Sequence, residues 1–172
     1  MFVKLIPQIV MNKINYLSKR FEQLLTMILP GQPLYDLCCD HGLLGLAALD
    51  RGLVPAVSLI DRSPSVIATL KERCQIYLEP DSRRMIMCMN GSDLQPVSGP
   101  ATIVIAGVGG QTIVDILEGI YCDRPLEQRL LLGPHRGEAK LLDWLSEQGW
   151  EIQQRKLVIE KGRERSLLQV GV

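Results

Sequence analysis

Short apolar runs alternate with segments of helical periodicity from residue 33 onward, and this alternation constrains the fold more than any other feature of the chain. Five runs read as buried strands: "PLYDLCC", "PAVSLID", "RRMIMCM", "ATIVIAG" and "QRLLLG". They carry the branched aliphatic residues that a parallel strand covered on both faces prefers. "LLGLAALDRG", "SPSVIATLKERCQIYL", "QTIVDILEGI" and "GEAKLLDWLSEQG" read as the intervening helices. Ser63 and Pro64 supply an N-cap followed by proline at the first helical position, and Gly149 closes the last helix. "WEIQQRKLVIE" and "RERSLLQV" then follow without room for a helix, so they predict an antiparallel hairpin turning through Lys161 and Gly162. The pattern predicts an α/β, Rossmann-like, doubly wound fold: a mostly parallel seven-stranded sheet with a C-terminal antiparallel hairpin.

Ahead of the sheet, "INYLSKRFEQLLTMIL" sets Ile14, Leu17, Phe21, Leu24, Leu25 and Ile28 on one helical face, and Pro30 with Gly31 stops the helix. The expected organisation is a single domain over residues 1–172, with an N-terminal helical flank (1–31) and a Rossmann-like core (32–172). A chain of 172 residues suits one well-buried domain. Lys plus Arg and Asp plus Glu both number 19, so no global field draws nucleic acid. Any basic footprint is local, either Lys13, Lys19 and Arg20 or Arg155, Lys156, Lys161, Arg163 and Arg165. No apolar stretch approaches the roughly 18 residues of a membrane span, so no membrane partner is expected. "MFVKLIPQIVMNK" lacks a basic leader and a small-residue cleavage site. The five cysteines have no CxxC spacing, which suits a reduced, cytoplasmic setting. The oligomeric state stays open.

In doubly wound sheets, ligands bind beyond the carboxyl ends of the strands, near the switch in strand order. Three of the first four strand ends carry acids here: Asp36 and Asp40 in "DLCCDHGLLG", Asp61 followed by Arg62, and Asp93 after Ser92. Asp61 lies about 20 residues past Gly42, the offset at which a carboxylate meets ribose hydroxyls. Asp93 could accept from an adenine amine, and Asp36 could steady an ammonium group or a backbone turn. Any one of these aspartates could equally cap a helix or make a turn, but three in register favour a ligand with ribose, adenine and positive charge. A pyrophosphate cofactor fits less well, because GxGxxG aligned on Cys38 reads Cys38, Asp40 and Leu43, and Asp40 would face phosphate. A phosphate-free nucleoside such as S-adenosylmethionine avoids that conflict. The absence of GxxxxGK[ST] argues against an NTPase.

"IAGVGG" leaves the fourth strand and enters a helix, and its glycines at 107, 109 and 110 would let the main chain pass close to a ligand. A tight strand-to-helix turn would explain them too. His41 and His135, the only histidines, both fall in strand-end loops. No metal site is expected, since adjacent residues such as Cys38 to His41 cannot all point at one ion, and Cys38 and Cys39 leave a strand on opposite sides. Trp144 and Trp150 read as helix and strand core.

In order and spacing, "LSKRFEQLLTMILPG", "YDLCCDHGLLG", "IAGVGG" and "LLDWLSEQGWEIQQRKLVIEKGRERSLLQV" resemble the bacterial tRNA adenine-N1 methyltransferases that modify adenine 22, the TrmK family. The similarity runs from about Asn15 to the end. It implies a class I fold using S-adenosylmethionine, with Asp36, Cys38, Asp40, His41 and Gly42 in the cofactor loop. It also implies Asp61 at the ribose, Asp93 near the adenine, and Ala106, Gly107, Gly109 and Gly110 towards the methyl side. Arg20 would fall in the helix flanking the pocket. The family commonly has glycine in place of Cys38 and a "QPN"-like stretch in place of Gly133, Pro134 and His135. It also implies a C-terminal helical, coiled-coil-like domain associated with tRNA binding, which does not follow the hairpin in these 172 residues.

Methylation of tRNA at adenine N1 is therefore the expected activity. Since N1 has a free lone pair, the task is chiefly proximity and orientation, with the base unpaired or flipped. No catalytic side chain is singled out. The substrate pocket is expected among Arg20, His41, Gly109, Gly110 and His135, and the cofactor at Asp36 to Gly42, Asp61, Arg62, Ser92, Asp93, Ala106 and Gly107. Two alternatives stay open: methylation of another RNA or a small molecule, and a non-catalytic module that binds the cofactor. Bulky side chains closing the space before Gly107 to Gly110 would favour the module.

Overall fold

The computed structural model describes residues 17–121, 127–160 and 162–171. Ile14, Cys122 and Lys161, on which parts of the sequence reading rest, lie outside them. Helix α1 spans Lys19–Leu25, later than the apolar spacing starts, because Ser18 acts as N-cap and its Oγ accepts the Phe21 N–H. There follow β1 (Leu34–Leu37), α2 (Leu43–Asp50), β2 (Val57–Asp61), α3 (Pro64–Tyr77) and β3 (Arg84–Cys88). A 3₁₀ turn (Gly91–Asp93) leads to β4 (Thr102–Ala106), α4 (Gly110–Tyr121), β5 (Arg129–Gly133), α5 (Glu138–Glu147), β6 (Ile152–Glu160) and β7 (Arg163–Val170). As the sequence suggested, Ser63 caps α3 and Pro64 is its first residue.

The seven strands form one sheet in the order β3-β2-β1-β4-β5-β7-β6. The first five are parallel, and β7 runs antiparallel to both β5 and β6. Helices on both faces explain why the parallel strands are apolar throughout. In β4, Val104 joins a core with Leu24, Ala47, Leu59 and Leu167, while its neighbours Ile103 and Ile105 join a core with Ile113, Leu117, Leu141 and Leu168. The side-chain period of two thus feeds two cores from one strand. Each such burial contributes about 1.5–3 kcal/mol, so a polar residue inside β4 would be costly on either face.

Two features aim this sheet at a site. The order reverses direction between β1 and β4, so their following loops diverge to opposite faces and leave a crevice. The antiparallel pairing also sends the start of β7 past the end of β5. Leu168 pairs with Leu132, and the five residues from Arg163 to Leu167 continue beyond it. Trp150 precedes β6 rather than sitting in a strand. It is partly buried, edge-on to both Trp144 and Tyr121.

Candidate functional site

The loop after β1 carries unusual backbone. Cys38 has φ 57° and Asp40 φ 49°, both left-handed without being glycine, and Gly42 (φ 66°) repeats the conformation as N-cap of α2. Left-handed positions therefore recur at every second residue, 38, 40 and 42. The frame ends on Gly42, not on Leu43 as a GxGxxG alignment suggests. Each non-glycine left-handed residue costs roughly 1–2 kcal/mol, less for aspartate, and neighbouring contacts hold the loop in place. The Cys39 N–H donates to the Ile60 carbonyl at 3.1 Å, and the Asp40 N–H donates to Asp61 Oδ2 at 3.2 Å. Cys38 and Cys39 face opposite cores, as adjacent residues leaving a strand must. Burial, with Asp61 and Asp36 nearby, pushes the Cys38 thiol up to about 11, so it is a neutral lining group and not a nucleophile.

Asp61 closes β2 with a fully oriented carboxylate. Its Oδ2 accepts the Asp40 N–H and its Oδ1 accepts the Ser63 N–H at 2.9 Å. One lone pair on each oxygen remains for a ligand. Asp61, Arg62 and Cys38 line one side of a cavity of about 530 Å³, and Asn90 and Gly91 after β3 continue the wall.

The opposite wall is built by the loops after β4 and β5, which hold each other. Gly107 N–H donates to the Gly133 carbonyl at 3.0 Å, His135 N–H to Val108 at 2.8 Å, and Gly110 N–H to Arg136 at 2.8 Å. The three glycines of "IAGVGG" then serve three purposes. Gly107 (φ 84°) needs the left-handed region, and a Cβ there would meet only the Arg20 guanidinium, at 3.8 Å. A Cβ on Gly109 would meet only Arg136, at 3.9 Å, so this glycine keeps the cavity wide. A Cβ on Gly110 would collide with the Gly137 carbonyl, so Gly110 serves packing between α4 and the β5–α5 loop.

Arg20, from α1, crosses to this wall. Its Nη1 lies 3.0 Å from His135 Nε2, its Nε lies 3.8 Å from Glu160, and its guanidinium stacks 5.2 Å from the Phe21 ring. Arginine is only a donor, so Nε2 accepts and the His135 proton sits on Nδ1. Burial together with the charges of Arg20 and Arg165 holds His135 below the usual histidine range, which keeps it neutral at pH 7. Arg165 Nη1 donates to the His135 carbonyl at 2.6 Å and ties β7 to the same loop.

The structure brings together Cys38, Asp61, Arg62, Gly107, Gly109 and His135 around one cavity, with Arg20 bonded to His135 and its guanidinium in front of Gly107. It does not bring the other sequence-derived residues into that lining. Asp36 is buried inside β1, where its carboxyl accepts the Gly45 N–H at 3.1 Å, and desolvation pushes it up to about 7. It steadies the start of α2 rather than a ligand amine. Asp40 and His41 are exposed, with His41 Nδ1 3.3 Å from Arg73. Gly42 packs under Leu59 and Leu70. Ser92 and Asp93 lie in the turn beyond Asn90, Ser92 against Gly119 and Asp93 exposed. Ala106 and Gly110 sit behind the wall. Sequence reading passed over Asn90, Thr112, Ile116 and Arg136 in the lining. Thr112 and Ile116 are four apart on α4 and share a face, and Asn90 is the first polar residue after β3, so spacing could have found these three.

A family model described as a methyltransferase domain matches residues 17–168. No curated protein matches the sequence significantly. Among solved structures, the fold is similar to that of the B. subtilis m1A22 tRNA methyltransferase TrmK. Identity is 22% and TM-score 0.81, over 90% of this chain and 66% of that one. M. capricolum TrmK, in complex with S-adenosyl-homocysteine, aligns at 16% identity and TM-score 0.74, over 90% of this chain and 68% of that one. The magnesium protoporphyrin IX methyltransferase ChlM from Synechocystis, with bound SAM, aligns at 14% identity and TM-score 0.67, over 98% of this chain and 92% of that one. The chain thus spans about two thirds of the TrmK chains and nearly all of ChlM.

Proposed function

The chain belongs to the methyltransferase domain family, and on that premise we propose that it uses S-adenosylmethionine to methylate N1 of an unpaired adenine in tRNA, in the cytoplasm. The observation that carries this reading is the Asp61 carboxylate, clamped by two backbone N–H groups on one wall of a cavity whose other wall is Gly107 and Gly109. The residues fit the cofactor. A cavity of about 530 Å³ lies within the roughly 300–1,000 Å³ of small-ligand sites. A fixed carboxylate accepts two vicinal hydroxyl protons while repelling phosphate, and the glycine wall leaves space where a side chain would intrude.

When bound, S-adenosylmethionine supplies a methyl group made electrophilic by its sulfonium. Asp61 would hold the ribose, with Asn90 and Gly91 beside the base of the cofactor. Gly107 and Gly109 would admit the target adenine edge-first. N1 needs no base to expose its lone pair, so the protein's contribution is alignment and exclusion of water. His135, neutral and accepting from Arg20 at Nε2, would have Nδ1–H left to donate to the incoming base. The space before Gly107 and Gly109 is open to the cavity, so the closure that would favour a non-catalytic module is not seen among the described residues.

The test is calorimetry with S-adenosylmethionine and S-adenosylhomocysteine, then incubation with labelled S-adenosylmethionine and total tRNA followed by nucleoside analysis. Binding and 1-methyladenosine are expected. No cofactor binding would overturn the reading, and binding without tRNA methylation would move the substrate to another RNA or a small molecule.

A further inference from the structure

Arginines are distributed unevenly between the cavity and the rest of the surface. Away from the cavity, Arg51 pairs with Glu22 at 2.7 Å, Arg83 with Asp81 at 2.7 Å, and Arg155 with Glu138 at 2.8 Å, while Arg73 meets His41 and Arg84 donates to the Glu79 carbonyl. Around the cavity stand Arg62, Arg136, Arg163 and Arg165, and among the described residues of its lining the one carboxylate is Asp61, already engaged by two backbone amides. Among the described residues Arg62, Arg136 and Arg163 have no carboxylate partner. In a chain whose charges cancel, four arginines against one carboxylate in a single lining is a local excess. Nor is it one solvated helical face, since the four arginines come from three separate segments: the end of β2, the β5–α5 loop and the first residues of β7. Register places Arg163 and Arg165 opposite Glu160 and Val158, on the face of β7 that Leu167 shares, the same side as Arg20.

We propose that Arg62, Arg136, Arg163 and Arg165 form a phosphate clamp at the cavity mouth, which grips the backbone of an RNA strand on either side of the base presented to Gly107 and Gly109. The guanidinium fork matches phosphate oxygens in pairs. Sign and position agree with that assignment: Asp61 inside the cavity disfavours phosphate there, and the arginines favour it at the rim. Arg165 is fixed by its bond to the His135 carbonyl. That bond ties one arm of the clamp to the loop of the base-facing wall. The inference rests on the proposed methylation of RNA and adds to it where the strand is held.

The test is fluorescence anisotropy of a labelled RNA stem-loop with an unpaired adenine, across a KCl series, using the intact chain. Arg62→Gln, Arg136→Gln and Arg163→Gln are compared singly and together, with Arg83→Gln as a matched loss of charge outside the cavity. Circular dichroism confirms that each variant is folded. Each cavity substitution is expected to weaken binding roughly five- to tenfold and to lower the salt slope by about 0.7–0.9, while Arg83→Gln changes neither. If the triple variant binds with the original affinity and slope, the clamp is wrong and the methyltransferase reading stands. If the unaltered protein binds S-adenosylhomocysteine but no RNA, both the clamp and the RNA half of the proposed function fall. Equal losses for the stem-loop and for free adenosine monophosphate would identify a small-nucleotide site and overturn the strand clamp.

Discussion

The loops after β1 and β4 face each other across one cavity, yet they reach their shapes by opposite means. The first takes left-handed backbone at residues 38, 40 and 42 and supplies glycine only at the last. The second has three glycines, of which one needs left-handed backbone, one avoids a collision with Gly137, and one, Gly109, is under neither constraint. The first loop tolerates side chains because Cys39 points to a core, Asp40 and His41 to solvent, and only the small Cys38 reaches the cavity. The second faces the cavity and shows where bulk is excluded. A glycine whose φ and packing would both accept a side chain is thus a stronger pointer to ligand space than one its backbone demands.

Substitutions can break that contrast. Gly110→Ala drives a methyl group into the Gly137 carbonyl, and urea denaturation is expected to show a loss of about 3 kcal/mol or failure to fold. Gly109→Val is expected to cost only about 1 kcal/mol, as a poor N-cap for α4. Labelled methyl transfer should nonetheless fall roughly 100-fold, which is about 2.7 kcal/mol on the barrier, with calorimetric cofactor affinity little changed. A similar loss at both glycines in stability alone would erase the distinction between them. Asp61→Ala removes two charged acceptors and is expected to weaken S-adenosylmethionine roughly 10- to 100-fold by calorimetry.

Asp36 sharpens the comparison through pH. Its carboxyl stands at about 7 in the fold, above the roughly 3.9 of an unfolded chain. The protonated form therefore stabilises the fold fully below about pH 4, and that contribution is lost as pH rises through about 7. Asp36→Asn keeps an acceptor for the Gly45 N–H, and should flatten the dependence and add roughly 1–2 kcal/mol at pH 8 in denaturant titrations. Cys38→Gly is the smallest change. Relief of left-handed strain, offset by lost packing and a freer unfolded chain, leaves a gain of about 1 kcal/mol at most.

Most of the fold was legible because burial on both faces writes itself into composition. "ATIVIAG" reads as a covered strand without any tertiary knowledge, and Ser63-Pro64 marks a helix start by local chemistry alone. The candidate site was legible where backbone position decides: Cys38, Asp61, Arg62, Gly107, Gly109 and His135 lie at strand ends, and strand ends are where the cavity is. It was not legible where side-chain direction decides. His41 sits in the same loop as Cys38 but turns to Arg73, and Asp93 stands three residues beyond Asn90 yet on the far side of a 3₁₀ turn. Arg163 and Arg165 stood out as part of a basic cluster, but not as cavity lining, because their place depends on the pairing register of a strand at the other end of the chain.

That register also sets how far the β6–β7 hairpin reaches past the rest of the sheet. Its root is fixed where Leu168 meets Leu132, and its reach is set by how many residues extend past that pair. At about 3.4 Å per residue, two residues added to or removed from each arm would shift its tip by roughly 7 Å. Such a change would leave the side-chain alternation and the Asp61 side of the cavity as they are. The length of that arm thus sets where Arg163 and Arg165 stand over the cavity without altering the strands beneath it.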